Sequence, residues 1–141
     1  MGLLPGDLPD MPIIVMNGDL LTKVNFSDLL NFHQESGCIA TMCVREYDFQ
    51  VPYGVVKIKG NKVDSIEEKP VHKFFVNAGI YVLNAELVKE VSGDGYLDMP
   101  TLLDKCIKSG ENVSMFPIHE YWLDIGNMPD YQRANDDILT M

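Results

Sequence analysis

The first strong pattern along the chain is a run of four apolar residues, Ile13-Ile14-Val15-Met16, entered from Pro12 and closed by Asn17-Gly18-Asp19. An unbroken run of this kind predicts a strand covered on both faces, as strands of a parallel sheet are. Asn25 then suits a helix cap, and Phe26, Leu29, Leu30 and His33 recur at helical spacing before Gly37 stops the helix. From Cys38 to Val44, the β-branched Ile39, Thr41 and Val44 predict a second strand. Strand, helix, strand in this order makes a βαβ unit.

The middle of the chain changes character. Tyr53 to Lys59 and Lys62 to Glu67 read as short strands joined at Gly60-Asn61, a pair that favours tight hairpin turns. Phe74 to Leu83 predicts a further strand, interrupted at Asn77-Ala78-Gly79. Asn84 is placed to cap a helix through Val91, and Ser92-Gly93-Asp94-Gly95 reads as a loop. Asp98, with Pro100 just inside the start, opens a helix to Ser109 that Gly110 ends. Val113 to Pro117 is a late strand, and Met128-Pro129-Asp130 opens a last helix with Tyr131, Ala134 and Ile138 along one face. No internal repeat or low-complexity linker divides the pattern, so it describes one α/β domain.

Composition supports a globular chain and narrows its partners. Of the 141 residues, 46% are apolar and 23% charged, ordinary values for one folded domain. No apolar run approaches the roughly 20 residues a membrane helix needs. Met1 to Pro12 has no basic start followed by an apolar stretch, so no signal peptide is expected and the cytoplasm is the expected compartment. The net charge of −10 repels nucleic acid. It would also repel sugar phosphates and nucleotides unless a metal ion or local lysines reverse the field. Cys38, Cys43 and Cys106 lack C-x-x-C spacing, and His33, His72 and His119 lack paired metal-ligand spacing, so all six read as structural.

Chemistry is concentrated in a few short segments. Asn17-Gly18-Asp19 follows the first predicted strand, at the carboxyl edge where open α/β sheets bind ligands; Asp19 there either holds a divalent cation or caps a turn. In Trp122-Leu123-Asp124-Ile125-Gly126, Asp124 sits between apolar residues before a glycine, placed to bind metal or to accept backbone N–H bonds. Glu67-Glu68-Lys69-Pro70 ends a strand with a carboxylate beside an ammonium, a pair suited to ring hydroxyls and a phosphate, or simply a solvated strand end. Glycines at Tyr53-Gly54 and Asn77-Ala78-Gly79 either admit a ligand against the backbone or allow a bulge.

The order of these segments is more specific than any one of them. N-G-D after an apolar strand, then Y-G-V, I-x-E-K-P, N-A-G-I-Y and W-x-D-I-G resembles the sugar-1-phosphate nucleotidyltransferases, the pyrophosphorylases that make nucleotide-diphospho-sugars. The resemblance runs from about Leu3 to Asp137 and points to the bacterial branch related to mannose-1-phosphate guanylyltransferase and glucose-1-phosphate thymidylyltransferase. It implies a Rossmann-like mixed sheet of the nucleotide-diphospho-sugar transferase type. It also implies transfer of a nucleotidyl group from an NTP to a sugar-1-phosphate with release of pyrophosphate. By the same resemblance Asp19 and Asp124 hold the catalytic Mg²⁺, Glu68 binds sugar hydroxyls and Lys69 the sugar phosphate. Gly54 offers a backbone contact to the sugar, Asn77 and Gly79 line its pocket, and Trp122 stands near the sugar and metal end of the cleft.

One family feature is not in this sequence. The glycine-rich signature with Arg and Lys that cradles the nucleotide phosphates has no counterpart among the 141 residues. The expectation is therefore a partial domain over residues 1–141, truncated at the N-terminus, carrying the sugar-phosphate and metal part and inactive by itself. With a neighbouring strand missing, the strand at Ile13 to Met16 would be an edge prone to pairing, and a homo-oligomer is expected. The alternative is a non-catalytic sugar-phosphate-binding or assembly module; two metal aspartates, which such a module does not need, favour the enzyme.

Overall fold

A computed structural model describes residues 10–90 and 97–140. Ile13–Met16 (β1), Ala40–Gln50 (β3), Val71–Leu83 (β6) and Val113–Pro117 (β7) form one mixed sheet in the order β1-β6-β3-β7. Between them run Leu20–Thr22 (β2), Val55–Lys59 (β4), Lys62–Glu67 (β5) and Trp122–Asp124 (β8). The helices are Phe26–Ser36 (α1), Ala85–Glu90 (α2), Met99–Lys108 (α3) and Met128–Ile138 (α4).

The sheet is covered on both faces, which accounts for the unbroken apolar run of β1. Ile13 and Val15 pack against a core of Ala40, Tyr81, Leu83, Leu87, Val88, Leu102, Leu103 and Cys106 beneath α2 and α3. Ile14 points the other way, into Val24, Leu29, Cys43, Ala78, Ile80, Val82 and Ile118 beneath α1. The pairing direction differs from the parallel expectation. β1 is antiparallel to β6, with Ile13 opposite Leu83 and Met16 opposite Ile80, and β6 is antiparallel to β3. An apolar run reports burial on two faces, not the direction of the neighbour. In the βαβ unit the two strands are therefore not adjacent: β6 lies between them, and the parallel neighbour of β3 is β7.

Local signals place the helices. Asn25 Oδ1 accepts from the Ser27 and Asp28 N–H groups, and Gly37 closes α1 in the left-handed region at φ 57°. Asp98 caps α3 through the Thr101 N–H, and Pro100 sits in the first turn. Hydrogen bonds from the Thr101 hydroxyl and then from its N–H hold the Asp98 carboxyl below the usual range. His33 faces the core, where Thr41 Oγ1 lies 2.9 Å from Nδ1 and Asn84 Oδ1 2.9 Å from Nε2. Asn84 Nδ2 donates to the Cys38 carbonyl at 3.2 Å, so the His33 Nε2–H is the donor and Nδ1 the acceptor. One network thus ties α1, β3 and the start of α2. The predicted end of that helix at Val91 and the Ser92-Gly93-Asp94-Gly95 loop lie outside the described residues. Of the predicted apolar face of the last helix only Ala134 is buried; Tyr131 and Ile138 are exposed.

β3 and β6 are longer than their sequence patterns suggested and leave the body together. Arg45 to Gln50 pairs with Val71 to Val76 as a two-stranded ribbon, extended by the β4–β5 hairpin. Ribbon and hairpin form an arm on which Tyr47, Phe49, Phe74, Ile58 and Ile66 are exposed. The passage from body to arm coincides with an irregularity in pairing. Two steps along β3, from Met42 to Val44, span four along β6, from Tyr81 to Asn77, and Gly79 turns to φ 72°.

Candidate functional site

The Asn17-Gly18-Asp19 turn leaves the carboxyl end of β1 beside this bulge, and the Asn17 N–H donates to the Gly79 carbonyl at 2.9 Å. The chain then enters β2, which pairs antiparallel with β8, Leu20 opposite Asp124 and Thr22 opposite Trp122. One step further the Ile125 N–H donates to the Asp19 carbonyl at 2.8 Å. Asp19 and Asp124, far apart in sequence, are thereby backbone neighbours across a short ribbon. Residues directly opposite in such a pair share a face. Asp124 therefore shares a face with Leu20, whose Cδ1 lies against Gly79, and with Trp122, whose Nε1–H donates to the Ala78 carbonyl at 2.9 Å. Asp19 lies just outside the ladder, in the turn. Both aspartates are exposed, and among the described residues no hydrogen bond or ion pair engages either carboxylate.

The β2–β8 pair is braced from behind. The Lys23 N–H and the Thr22 hydroxyl both donate to the Tyr121 carbonyl, each at 2.9 Å. The Tyr121 hydroxyl donates to Asp137 on α4, and this bond raises its pKa above the ordinary tyrosine value. Neither three-residue strand was legible in the sequence, being too short to show alternation.

Gly79 is required by geometry. Its φ is left-handed, and a Cβ there would stand 2.7 Å from Asn17 Nδ2 and 3.1 Å from Leu20 Cδ1. Asn77 maintains the bulge: its Oδ1 accepts from the Gly79 N–H at 2.9 Å while Nδ2 donates to the Tyr81 hydroxyl at 2.7 Å. Asn77 and Gly79 thus lie beside the Asn17 turn and beside Trp122, whose indole bonds the intervening Ala78 carbonyl.

Gly54, Glu68 and Lys69 form a second group. A Cβ at Gly54 would stand 3.1 Å from Glu68 Oε2, so the carboxylate lies against the bare glycine backbone. Lys69 adopts φ 44°, in the left-handed region a non-glycine side chain rarely enters. Flanking bonds hold this corner: Gln50 Nε2 donates to the Lys69 carbonyl at 3.3 Å, and the Val51 N–H to the Pro70 carbonyl at 3.0 Å. Backbone strain of this kind, stabilised by its surroundings, is common at ligand sites. Along the sequence Val71 to Val76 of β6 lies between the two groups.

The donor set suits a hard cation. Among the described residues no cluster of three or more His, Cys, Asp or Glu could hold a metal by itself. Mg²⁺ commonly takes only one or two protein carboxylates and completes its shell with water and substrate phosphate, and aspartate oxygens are ligands of the kind it takes.

Comparison with known proteins agrees in sequence and in fold. The profile of the family described as Nucleotidyl transferase matches residues 5–141. A Sulfolobus acidocaldarius protein that carries the provisional name mannose-1-phosphate guanyltransferase is 37% identical over 131 residues, 92% of this chain and 36% of its own length. The mannose-1-phosphate guanyltransferase of Aspergillus fumigatus is 31% identical over 140 residues, 93% of this chain and 37% of its own length. The chain therefore spans about a third of the length of these relatives. Among solved structures, HddC from Yersinia pseudotuberculosis superposes with a TM-score of 0.61 at 25% identity, covering 90% of this chain and 55% of that one.

Proposed function

The chain belongs to the nucleotidyl transferase family, and from that premise we propose that it supplies the sugar-phosphate-binding and metal-binding part of a sugar-1-phosphate nucleotidyltransferase, of the mannose-1-phosphate guanylyltransferase kind. The substrates are a sugar-1-phosphate and an NTP, with GTP favoured by the names of the relatives above. An oxygen of the sugar-1-phosphate attacks the α-phosphorus of the NTP, the bond to the β-phosphate breaks, and pyrophosphate leaves. The phosphate is already a competent nucleophile, so the protein contributes alignment and neutralisation of charge.

In this reading Asp19 and Asp124 hold a Mg²⁺ ion, which when bound would offset phosphate charge on a protein of net charge −10. Glu68, lying against Gly54, accepts from sugar hydroxyls, and Lys69 meets the sugar phosphate. Asn77 and Gly79 shape the pocket wall, with Trp122 packed on it. The observation that carries the proposal is the β2–β8 pairing, which makes neighbours of the two aspartates. Location in the cytoplasm and assembly as a homo-oligomer belong to the same proposal; among the described residues no helix is long and apolar enough to cross a membrane.

Titration with mannose 1-phosphate and glucose 1-phosphate, followed by NMR, tests the reading. Shifts are expected at Tyr53, Glu68 and Asn77, and Lys69→Ala should weaken binding far more than Lys108→Ala, which removes a lysine paired with Asp104 on the helix surface. Shifts confined to the α2 and α3 face would contradict it. The 141-residue chain by itself is expected to release no pyrophosphate from any NTP, because its sequence lacks the glycine-rich phosphate cradle.

A further inference from the structure

Two carboxamides flank Gly79, and they are used differently. That of Asn77 is committed to the protein at both ends, to the Tyr81 hydroxyl and to the Gly79 N–H. That of Asn17 engages no protein group by hydrogen bond among the described residues, although its backbone N–H is fixed on the Gly79 carbonyl. Packing positions it instead: the amide lies flush on the bare Cα of Gly79, where a Cβ would come within 2.7 Å of Nδ2 and 3.0 Å of Cγ. The side chain is exposed, at the carboxyl end of β1 and two residues before Asp19.

We propose that Asn17 is a specificity-determining residue whose carboxamide hydrogen-bonds hydroxyl groups of the sugar ring. This deepens the proposed function and rests on it. A carboxamide offers a donor and an acceptor side by side, the complement of two neighbouring hydroxyls, each of which is both. It carries no charge, so it is ill suited to the phosphate, for which a cation is the better partner. A group held in place by packing, with its hydrogen-bonding capacity unspent, loses little freedom when it binds. Rejection of a sugar with the wrong hydroxyl configuration follows, because such a sugar leaves a buried polar group unpaired.

The test uses the 141-residue chain with mannose 1-phosphate and glucose 1-phosphate, reading affinity by NMR titration and folding by thermal melting. Asn17→Ala should keep the melting temperature, since no protein hydrogen bond is lost. It should weaken binding of the preferred sugar about tenfold, the scale of one lost hydrogen bond, and bring the two affinities together. Asn77→Ala should instead lower the melting temperature, because it releases the Tyr81 hydroxyl and the Gly79 N–H. Unchanged affinities and an unchanged ratio in Asn17→Ala, with the parent chain binding normally, would overturn this inference and leave the proposed function standing. A fall in melting temperature as large as that of Asn77→Ala would overturn it too, by making Asn17 a structural residue. If the parent chain binds neither sugar phosphate at millimolar concentration, the proposed function itself fails and the inference goes with it.

Discussion

β3 and β6 each run through two different environments. In the body, Ala40 to Val44 and Ala78 to Leu83 are almost wholly buried between two helical layers. In the arm the same strands continue as a two-stranded ribbon and hairpin, where Ile58 is 74% exposed and Ile66 68%. Two-stranded β-structure is marginal in water without a layer on its apolar face. The body is therefore held by its own packing, whereas the arm is held mainly by its ladder bonds and by exposed pairs such as Lys73 with Glu46. That ammonium keeps the Glu46 carboxyl below its usual range, but so exposed a pair stabilises little. The candidate site straddles the boundary: the aspartates and Asn77-Ala78-Gly79 sit where the body ends, and Glu68 and Lys69 sit on the arm.

The widest expected contrast between the regions is chemical. Burial, with a smaller effect from Glu120, pushes the Cys43 thiol from its ordinary 9.0 to about 12. Three units correspond to about a thousandfold less thiolate, so iodoacetamide at pH 8 should leave Cys43 unmodified while the protein stays folded. Because the folded pKa is the higher one, stability from this thiol is complete below pH 9 and falls as pH rises from about 9 towards 12. Rapid labelling of Cys43 would mean that the body opens readily.

Gly79→Ala should be the most destabilising change at the boundary. It combines a left-handed φ, costing about 1–2 kcal/mol, with overpacking against Asn17 and Leu20 of about 1–3 kcal/mol. Leu29→Ala empties a fully buried position in the body and should cost about 3 kcal/mol in urea denaturation. Asn25→Ala removes the cap of α1 and should cost about 1 kcal/mol. Ile58→Ala on the arm should cost less than about 0.5 kcal/mol. A loss at Ile58 as large as that at Leu29, growing with protein concentration in sedimentation experiments, would show that a second copy covers the arm.

Caps and tight turns were the legible part of the sequence, in the body and on the arm alike. The cap at Asn25, the stop at Gly37, the Asp98 and Pro100 helix start and the Gly60-Asn61 hairpin are each written in neighbouring residues, and local chemistry suffices to read them. Pairing partners are not local. Nothing in Ile13-Ile14-Val15-Met16 distinguishes an antiparallel neighbour from a parallel one, so the insertion of β6 between β1 and β3 has no local signal. The order of short motifs points to individual candidate residues, but not to the strand pair that joins their segments. β2 and β8 are three residues each, and their pairing depends on the whole sheet having formed. The sequence carries no separate signal for Asn17, because the glycine its amide packs on is brought beneath it only by the fold.

The central claim is that Asp19 and Asp124 form one cation site because β2 pairs with β8. Paramagnetic broadening by Mn²⁺, with pyrophosphate added to complete the shell, tests this most directly. Amide signals of residues 18–20 and 123–125 are predicted to broaden together, and both sets should recover in Asp19→Asn and again in Asp124→Asn. Broadening of one segment without the other, or of both despite either substitution, would contradict the claim.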